Sequence, residues 1–147
     1  MEELKFSKIR KVKSPLRANP TDAGIDFFIP EDFGPKLIHP SECVLIPSGI
    51  KANVPKGHAL IAFNKSGVAS KKCLDKMAEV VDETYQGEIH INIINNGSNV
   101  QELNPGDKII QFILIPVSYA VPTECKLEDL YEEKSSRGEG GFGSTGT

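Results

Sequence analysis

The feature that most constrains this chain is a series of short apolar runs, rich in β-branched and aromatic residues, which Pro, Gly and Asn separate. This pattern is typical of an all-β domain whose strands are joined by tight turns. The runs predict strands at residues 4–12, 24–29, 43–46, 50–54, 58–63, 79–82, 88–95 and 108–117. Residues 66–77 are the best candidate for a short helix, although Gly67 and Val68 weaken that signal. The sequence therefore predicts an all-β fold with one short helix.

Two of these runs carry further information. Between residues 88 and 95 isoleucines alternate with polar residues, so one face of that strand should be buried and the other should be wet or line a site. Residues 109–115 are apolar except for Gln111, as expected for a strand that is covered on both faces. A lone Gln in such a strand needs a hydrogen-bond partner. Asn96-Gly97 predicts a hairpin turn.

The length of the chain favours a single domain. With 147 residues, of which 39% are hydrophobic, it can bury one core of ordinary size. After Leu130 the composition shifts to charged residues, Ser and Gly, and such a segment does not fold alone. We therefore predict a β-barrel domain at residues 1–131 and a C-terminal arm at residues 132–147, which is either flexible or ordered against a ligand or another subunit.

Charge, cysteine content and hydropathy exclude several classes of function. The chain has 17 basic and 20 acidic residues and no long basic run, so a nucleic-acid surface is not indicated. Cys43, Cys73 and Cys125 are odd in number and far apart, which favours buried thiols in a reducing compartment over disulfides or a zinc site. No apolar run approaches the roughly 18 residues that a membrane helix needs. We expect a soluble, cytoplasmic protein without a membrane partner, with a nuclear location or a viral origin left open.

Two polar segments follow predicted strands and suit nucleotide chemistry. Lys65, Ser66 and Gly67 place a cation, a hydroxyl and a glycine together, a combination that suits phosphate oxygens. An ordinary helix entry capped by Ser66 explains the same residues. Asp82 comes after an apolar strand and close to Tyr85, where a carboxylate can activate a water molecule. Asp at a strand end is also a common turn former.

Asp26 and the glycine-rich C-terminus are further candidates. Asp26 can support a metal or hold a basic residue, or it can be a solvated turn residue. Residues 137–147 combine Arg137 with closely spaced backbone N–H groups and two hydroxyls, which can wrap phosphates, while Phe142 offers a face for a base. A flexible tail explains the same composition.

The order and spacing of these segments together resemble the five motifs of the trimeric dUTP diphosphatase family. The corresponding segments are residues 21–26, 65–69, 80–89, 105–111 and 137–146. The resemblance extends from about Leu16 to the last residue, and the closing Arg and GGFGSTG run is highly specific.

The resemblance implies a jelly roll of the β-clip type, a barrel of short strands that assembles as a homotrimer with shared active sites. The arm at residues 132–147 would cross to the active site of a neighbouring subunit and close over bound nucleotide. The implied reaction is magnesium-dependent hydrolysis of dUTP to dUMP and pyrophosphate. That reaction limits uracil incorporation into DNA and supplies dUMP for dTMP synthesis.

The resemblance also implies a role for each candidate residue. Asp82 activates the water that attacks the α-phosphorus, and Asp26 binds Mg²⁺ through water molecules. The residues expected at the phosphates are Lys65, Ser66, Gly67, Gln111, Arg137, Ser144 and Thr145. The residues expected at uracil are Ala78, Glu79 and Val81 of a hairpin, a backbone contact from His90, and the ring of Phe142 beside Gly143. Tyr85 packs on the deoxyribose and leaves no room for a 2′-hydroxyl.

Three positions depart from the family pattern, and two other functions share the site. Lys65 replaces the usual Arg and keeps the charge without the bidentate fork. Thr84 replaces an acidic residue, and Glu79 replaces a Gly, so the Glu79 side chain must point away from the base if uracil selectivity is to hold. The alternatives are the related dCTP deaminase group, which lacks this kind of tail, and a regulatory relative that binds dUTP without turnover. Asp82 argues against the second alternative, because a pure binder has no need of that carboxylate.

Overall fold

The structure is a computed structural model that describes residues 3–141. Within that range it has eleven β-strands, one α-helix and two short 3₁₀ helices. The strands are β1 (Lys5–Lys8), β2 (Ile25–Phe27), β3 (Lys36–Ile38), β4 (Cys43–Pro47), β5 (Ile50–Asn53), β6 (His58–Asn64), β7 (Leu74–Lys76), β8 (Val80–Val81), β9 (His90–Asn95), β10 (Gln101–Leu103) and β11 (Ile110–Pro116). Helix α1 spans Ser66–Lys72, and the 3₁₀ helices lie at Glu31–Phe33 and Leu127–Asp129. The predicted all-β fold with one short helix is confirmed.

Antiparallel pairing arranges these strands in two principal sheets. The larger has the order β2-β11-β6-β8 and the smaller has the order β4-β9-β7, while β1-β5 and β10-β3 form two further pairs. One core joins them, and its members include Phe27, Phe112, Ile46, Leu60 and Ile91, each at most 1% exposed. The rings of Phe27 and Phe112 contact each other with centroids 4.5 Å apart. Short antiparallel strands around one apolar core agree with the predicted jelly roll.

The alternation predicted between residues 88 and 95 is confirmed. Ile89, Ile91 and Ile93 are each 1% exposed, whereas the intervening His90 is exposed. Because successive side chains of a strand point to opposite faces, β9 seals the core with one face and presents the other to a possible site.

The predicted helix at residues 66–77 is too long. Helix α1 ends at Lys72 because Cys73 has a left-handed backbone with φ of 52°, which closes the helix. The chain then continues as β7, which pairs with β9 and buries Leu74. Strands β3, β7 and β10 are absent from the sequence prediction because three residues carry too little periodicity to be read.

The hairpin predicted at Asn96-Gly97 is wrong, because β9 and β10 do not pair with each other. The buried Asn95 is the physical reason. Its side-chain amide donates to the carbonyl oxygens of Ile38, at 3.0 Å, and Asn99, at 2.8 Å, and its oxygen accepts from the Gly97 N–H at 2.9 Å. These bonds direct the chain across to β3, with which β10 pairs.

The three cysteines are exposed, so the prediction of buried thiols is wrong. Cys43 precedes the buried Val44 on β4 and therefore points outward. Cys73 lies at the end of α1, and Cys125 lies in the exposed segment that follows β11. The number and spacing of the cysteines do not predict that these three positions are exposed.

The segment after β11 leaves the core. Every residue from 116 to 139 is exposed, and the segment carries large apolar side chains that contact no core, among them Val117, Tyr119, Val121, Leu127, Leu130 and Tyr131. The predicted division into residues 1–131 and 132–147 stays a prediction, since β11 ends the packed part earlier, at Pro116. Within the described part of the chain, no helix has the length and apolar character needed to cross a membrane.

Candidate active site

A pocket of about 190 Å³ opens beside Asp82. Its lining contains all the residues predicted to read the base and sugar within the described range, namely Ala78, Glu79, Val81, Tyr85 and His90, together with Asp82, Val80, Glu88, Ile89 and Phe112. The pocket forms where β8 pairs with β6, and the Ala62 N–H extends that pairing by donating to the Glu79 carbonyl oxygen at 2.8 Å. Backbone hydrogen bonding therefore fixes the rim of the pocket.

Asp82 lies just past the end of β8, in a turn that presents its carboxylate to solvent. The Tyr85 N–H closes the turn on the Asp82 carbonyl oxygen at 3.1 Å. The neighbouring Glu83 anchors the turn, because its carboxylate accepts the N–H of Gly57 and the hydroxyl of Tyr119. These two bonds lower the pKa of Glu83, so it stays ionised and the anchor holds at neutral pH. No pattern in the sequence predicts this anchoring role for Glu83.

Glu79, the departure that matters most for the base, is tied to Lys76. The Lys76 Nζ forms an ion pair with the Glu79 carboxylate across one strand end. The side chain is therefore held by a cation on β7, while the Glu79 backbone remains part of the pocket rim. This geometry supports the expectation that the charge points away from the base.

We expect Glu79→Gly to leave selectivity for dUTP over dCTP within about twofold, because the interaction free energy of an exposed ion pair is small. Lys76→Met should instead raise KM for dUTP, since it frees a carboxylate beside an electron-rich base. The double variant should return to the wild-type KM. Steady-state pyrophosphate release from both nucleotides measures this, and a Lys76→Met variant with unchanged KM would show that the pair has no influence on the pocket.

A second cleft, of about 390 Å³, gathers cations and phosphate-binding candidates. It is lined by Lys65, Ser66, Gly67, Val68, Lys71, Lys108 and Gln111. Four of the five residues that the resemblance assigned to phosphate within the described range therefore lie together, and Arg137 is the one that does not line this cleft. Lys71 and Lys108 are additions that the sequence analysis missed, although Lys108 lies in the same motif as Gln111.

Asp26 is buried on β2 and holds two of these cations. One carboxylate oxygen pairs with Lys65 Nζ, and the other lies 3.1 Å from Lys108 Nζ. A buried carboxylate requires such partners, which confirms the expectation that Asp26 can hold a basic residue. It also forms part of a cleft of about 270 Å³ with Asp22, Gly24 and Gln111. Across residues 3–141 no cluster of three or more His, Cys, Asp or Glu side chains is arranged to hold a metal ion.

Gln111 finds a hydrogen-bond partner within the chain. Its side-chain amide donates to the Asn64 carbonyl oxygen at 2.8 Å, where β11 and β6 pair. An amide carries two hydrogens, so one remains for a phosphate oxygen. Gly24 makes room for this side chain, because a Cβ atom at that position would lie 1.9 Å from Gln111 Oε1.

Gly24→Ala should displace Gln111 and lower kcat/KM for dUTP by about 10- to 100-fold, the loss of one charge-assisted hydrogen bond of about 1.5–3 kcal/mol. Steady-state kinetics and thermal unfolding measure the effect. Adding Gln111→Ala removes the clash, so the double variant should recover the unfolding midpoint but not the activity. Full activity in the single variant would show that Gln111 does not act on substrate.

The two clefts lie on different sides of the larger sheet. They have no lining residue in common, and the consecutive residues Gln111 and Phe112 of β11 contribute to different clefts. Because consecutive side chains of a strand point to opposite faces, Gln111 and Phe112 reach these clefts from opposite sides of β11. Arg137 is exposed and lines neither cleft, and its Nε donates to the Gly140 carbonyl oxygen at 2.7 Å. Phe142, Gly143, Ser144 and Thr145 lie outside the described residues.

The fold and these clefts describe an all-β protein with one candidate site for a ring-bearing ligand and another for an anionic ligand. The sequence profile of the dUTPase family matches residues 10–146, and the chain therefore belongs to the dUTPase family. It is 40% identical to the deoxyuridine 5′-triphosphate nucleotidohydrolase of Maricaulis maris (strain MCS10), over 90% of this chain and 87% of that protein.

Solved structures agree with this assignment. The dUTPase of Staphylococcus bacteriophage 80alpha with dUPNHPP is 25% identical, has a TM-score of 0.81 and is matched over 100% of both chains. The dUTPase of phage phi11 of S. aureus, described with a structural Mg(II) ion, is 23% identical and has a TM-score of 0.72, over 88% of this chain and 99% of that chain. The second likeness shows the fold alone.

Proposed function

We propose that this protein hydrolyses dUTP to dUMP and pyrophosphate. The observation that carries the proposal is Asp82, an exposed carboxylate that lines a pocket of about 190 Å³ beside β8. Family membership and a relative named for dUTP hydrolysis support it. An intracellular nucleotide as substrate also agrees with the cytoplasmic location that the sequence predicts.

In this mechanism Asp82 accepts a proton from the water that attacks the α-phosphorus. The bond from that phosphorus to the bridging oxygen breaks, and pyrophosphate leaves with the electron pair. The turn fixed by Glu83 holds the carboxylate while the base is anchored in the pocket. Fixing both reacting groups lowers the entropic part of the barrier.

Selectivity for deoxyuridine would come from the pocket. The backbone of Ala78, Glu79 and Val81 and a backbone contact from His90 present fixed donors and acceptors, which match uracil and oppose the reversed polarity of cytosine. Thymine would be rejected because its methyl group finds no space. The Tyr85 ring would cover the deoxyribose, so a 2′-hydroxyl would be buried without a partner.

The phosphates would bind in the lysine cleft, with Lys65, Ser66, Gly67 and Gln111 as predicted and with Lys108 beside them. Lys65 is not free in this role, since Asp26 holds it. Asp26 would act on a magnesium ion that the triphosphate brings through water molecules, since oxygen ligands suit Mg²⁺ and it retains several waters. Both Asp26 oxygens pair with lysines, so this role requires one of these pairs to open. Bound there, the ion would neutralise charge on the leaving pyrophosphate.

A homotrimer with shared sites is part of the proposal. The two clefts share no lining residue, and Gln111 and Phe112 reach them from opposite sides of β11. This arrangement supports a nucleotide that takes its two clefts from different copies of the chain. The exposed apolar side chains between Val117 and Tyr131 agree with this assembly, because a second copy of the chain would remove them from water. In such an assembly the arm at residues 132–147 would reach a neighbouring site, with Arg137, Ser144 and Thr145 on phosphate and Phe142 on uracil.

The test is pyrophosphate release from dUTP, UTP, dCTP and dTTP, with magnesium and with a chelator. Release from dUTP alone that requires magnesium is the expected result. Ammonia release from dCTP would instead favour the deaminase reading. Tight dUTP binding without any product would favour a regulatory binder, and release from several nucleotides would show that the pocket does not discriminate.

A further inference from the structure

Glu88 is the most heavily bonded carboxylate of the Asp82 pocket, and its principal partner comes from the far N-terminal segment. Arg10 Nε lies 2.7 Å from Glu88 Oε1, and Arg10 Nη2 lies 3.2 Å from Oε2, which makes a two-point contact. The Gly49 N–H also donates to Oε1 at 2.8 Å. The Glu88 side chain is 14% exposed and that of Arg10 is 34% exposed, so these bonds are partly shielded from water.

The same residue holds Tyr85 through its backbone. The Tyr85 hydroxyl donates to the Glu88 carbonyl oxygen at 2.9 Å, and the His90 ring Nδ1 lies 2.9 Å from that oxygen. The Tyr85 ring also lies directly against Gly87, where a Cβ atom would come within 2.3 Å of the hydroxyl. The position of the ring therefore depends on where residues 87–88 are held.

The geometry of the Arg10–Glu88 ion pair suits a positioning role. A planar guanidinium that meets a carboxylate at two points fixes direction as well as distance. Arg10 lowers the pKa of Glu88, so the pair persists at neutral pH. Arg10 also lies before the five family motifs, so the resemblance assigns it no role.

We propose that Arg10 and Glu88 are positioning residues that set the Tyr85 wall of the pocket and so control discrimination against ribonucleotides. The proposal rests on the proposed function, because it assumes that the sugar of dUTP meets Tyr85. If the pair is lost, the segment at residues 87–88 can move, the ring shifts with it, and space opens for a 2′-hydroxyl.

The test compares Arg10→Met and Glu88→Gln with Asp32→Asn. Asp32 is the other partner of Arg10, with 2.8 Å between Asp32 Oδ2 and Arg10 Nη1, and it lines no part of the pocket. We expect the ratio of kcat/KM for dUTP to that for UTP to fall about tenfold or more in the first two variants, as expected when a site loses its rejection of one hydroxyl. Asp32→Asn should stay within about twofold, as is usual for exposed pairs. Arg10→Lys, which keeps the charge but loses the fork, should be intermediate.

A double-variant cycle with Tyr85→Phe separates positioning from general destabilisation. Tyr85→Phe already removes the bond to residue 88, so adding Arg10→Met should lower the ratio by much less than it does alone. A lower unfolding midpoint with an unchanged dUTP to UTP ratio overturns the proposal, and so does a fully additive cycle.

The Arg10 and Glu88 proposal can be tested even if the proposed reaction is wrong. Calorimetric titration with dUTP and UTP measures the same ratio as an affinity ratio, so an inactive wild type that binds dUTP refutes hydrolysis and still tests the Arg10 and Glu88 pair. A wild type that hydrolyses dUTP while Arg10→Met keeps its selectivity refutes only the inference. A wild type that binds neither nucleotide overturns both.

Discussion

We expect Asp82→Asn to lower kcat for dUTP by about 10²- to 10⁴-fold, the range that removal of a general base usually costs. The amide keeps the shape of the carboxylate but cannot accept the proton of the attacking water. The substitution leaves the pocket rim intact, since backbone pairing of β8 with β6 forms that rim. KM for dUTP should therefore change little. Single-turnover pyrophosphate release and calorimetric dUTP binding are the two measurements.

Thr84→Ala provides the matched control for this substitution. Thr84 is exposed on the same turn, two residues after Asp82, and it does not line the Asp82 pocket. It should retain nearly full turnover, which would exclude disturbance of the turn as the cause of lost activity. Near-normal hydrolysis by Asp82→Asn would remove Asp82 from the mechanism, and loss of dUTP binding would show that its role is in binding.

Deletion of residues 137–147 should lower kcat/KM by about 10²-fold or more, since each lost donor to developing charge typically costs 10²–10³-fold. Folding should survive, because β11 ends at Pro116 and residues 137–139 are exposed and join no core. The unfolding midpoint and the trimeric mass in light scattering should match those of the full chain. Full activity in the truncated protein would contradict any role for the arm.

A mixing experiment decides whether the arm acts on a neighbouring subunit. Chains with Asp82→Asn keep the arm, and truncated chains keep Asp82, so each parent is inactive. In mixed trimers, a site that takes its carboxylate from one chain and its arm from another is complete, and part of the activity should return. If activity stays at the level of the parents although mixed trimers form, each arm serves the subunit from which it comes.

Local sequence patterns predict several features of the structure. The alternation around Ile89 and Ile91 predicts that both lie in the core, because the two-residue period of a strand can be read from neighbouring residues. Asp82 and Tyr85 lie three residues apart on one turn and line the same pocket, and their roles there stay predictions. The family motifs added the phosphate set at residues 65–67, which the structure gathers in one cleft.

Other features depend on contacts between residues far apart in the chain, and no local pattern predicts them. Asn95 looks like part of an Asn-Gly hairpin, yet its buried amide bonds to Ile38 and redirects the chain to β3. Cys73 lies in a helical pattern, but its left-handed backbone ends the helix. In both cases tertiary hydrogen bonding and backbone geometry outweigh local propensity.

The sequence by itself determined the all-β class, the strand faces and the residue types of the candidate site, because period, turn chemistry and motif spacing are local properties of a chain. Only the tertiary structure decided that Asp26 holds Lys65 and Lys108, that Arg10 holds Glu88, and that the two clefts lie on different faces of one sheet. The physical reason is register. Strand pairing brings together residues that are 39 and 78 positions apart, and which residues meet depends on how the whole sheet aligns.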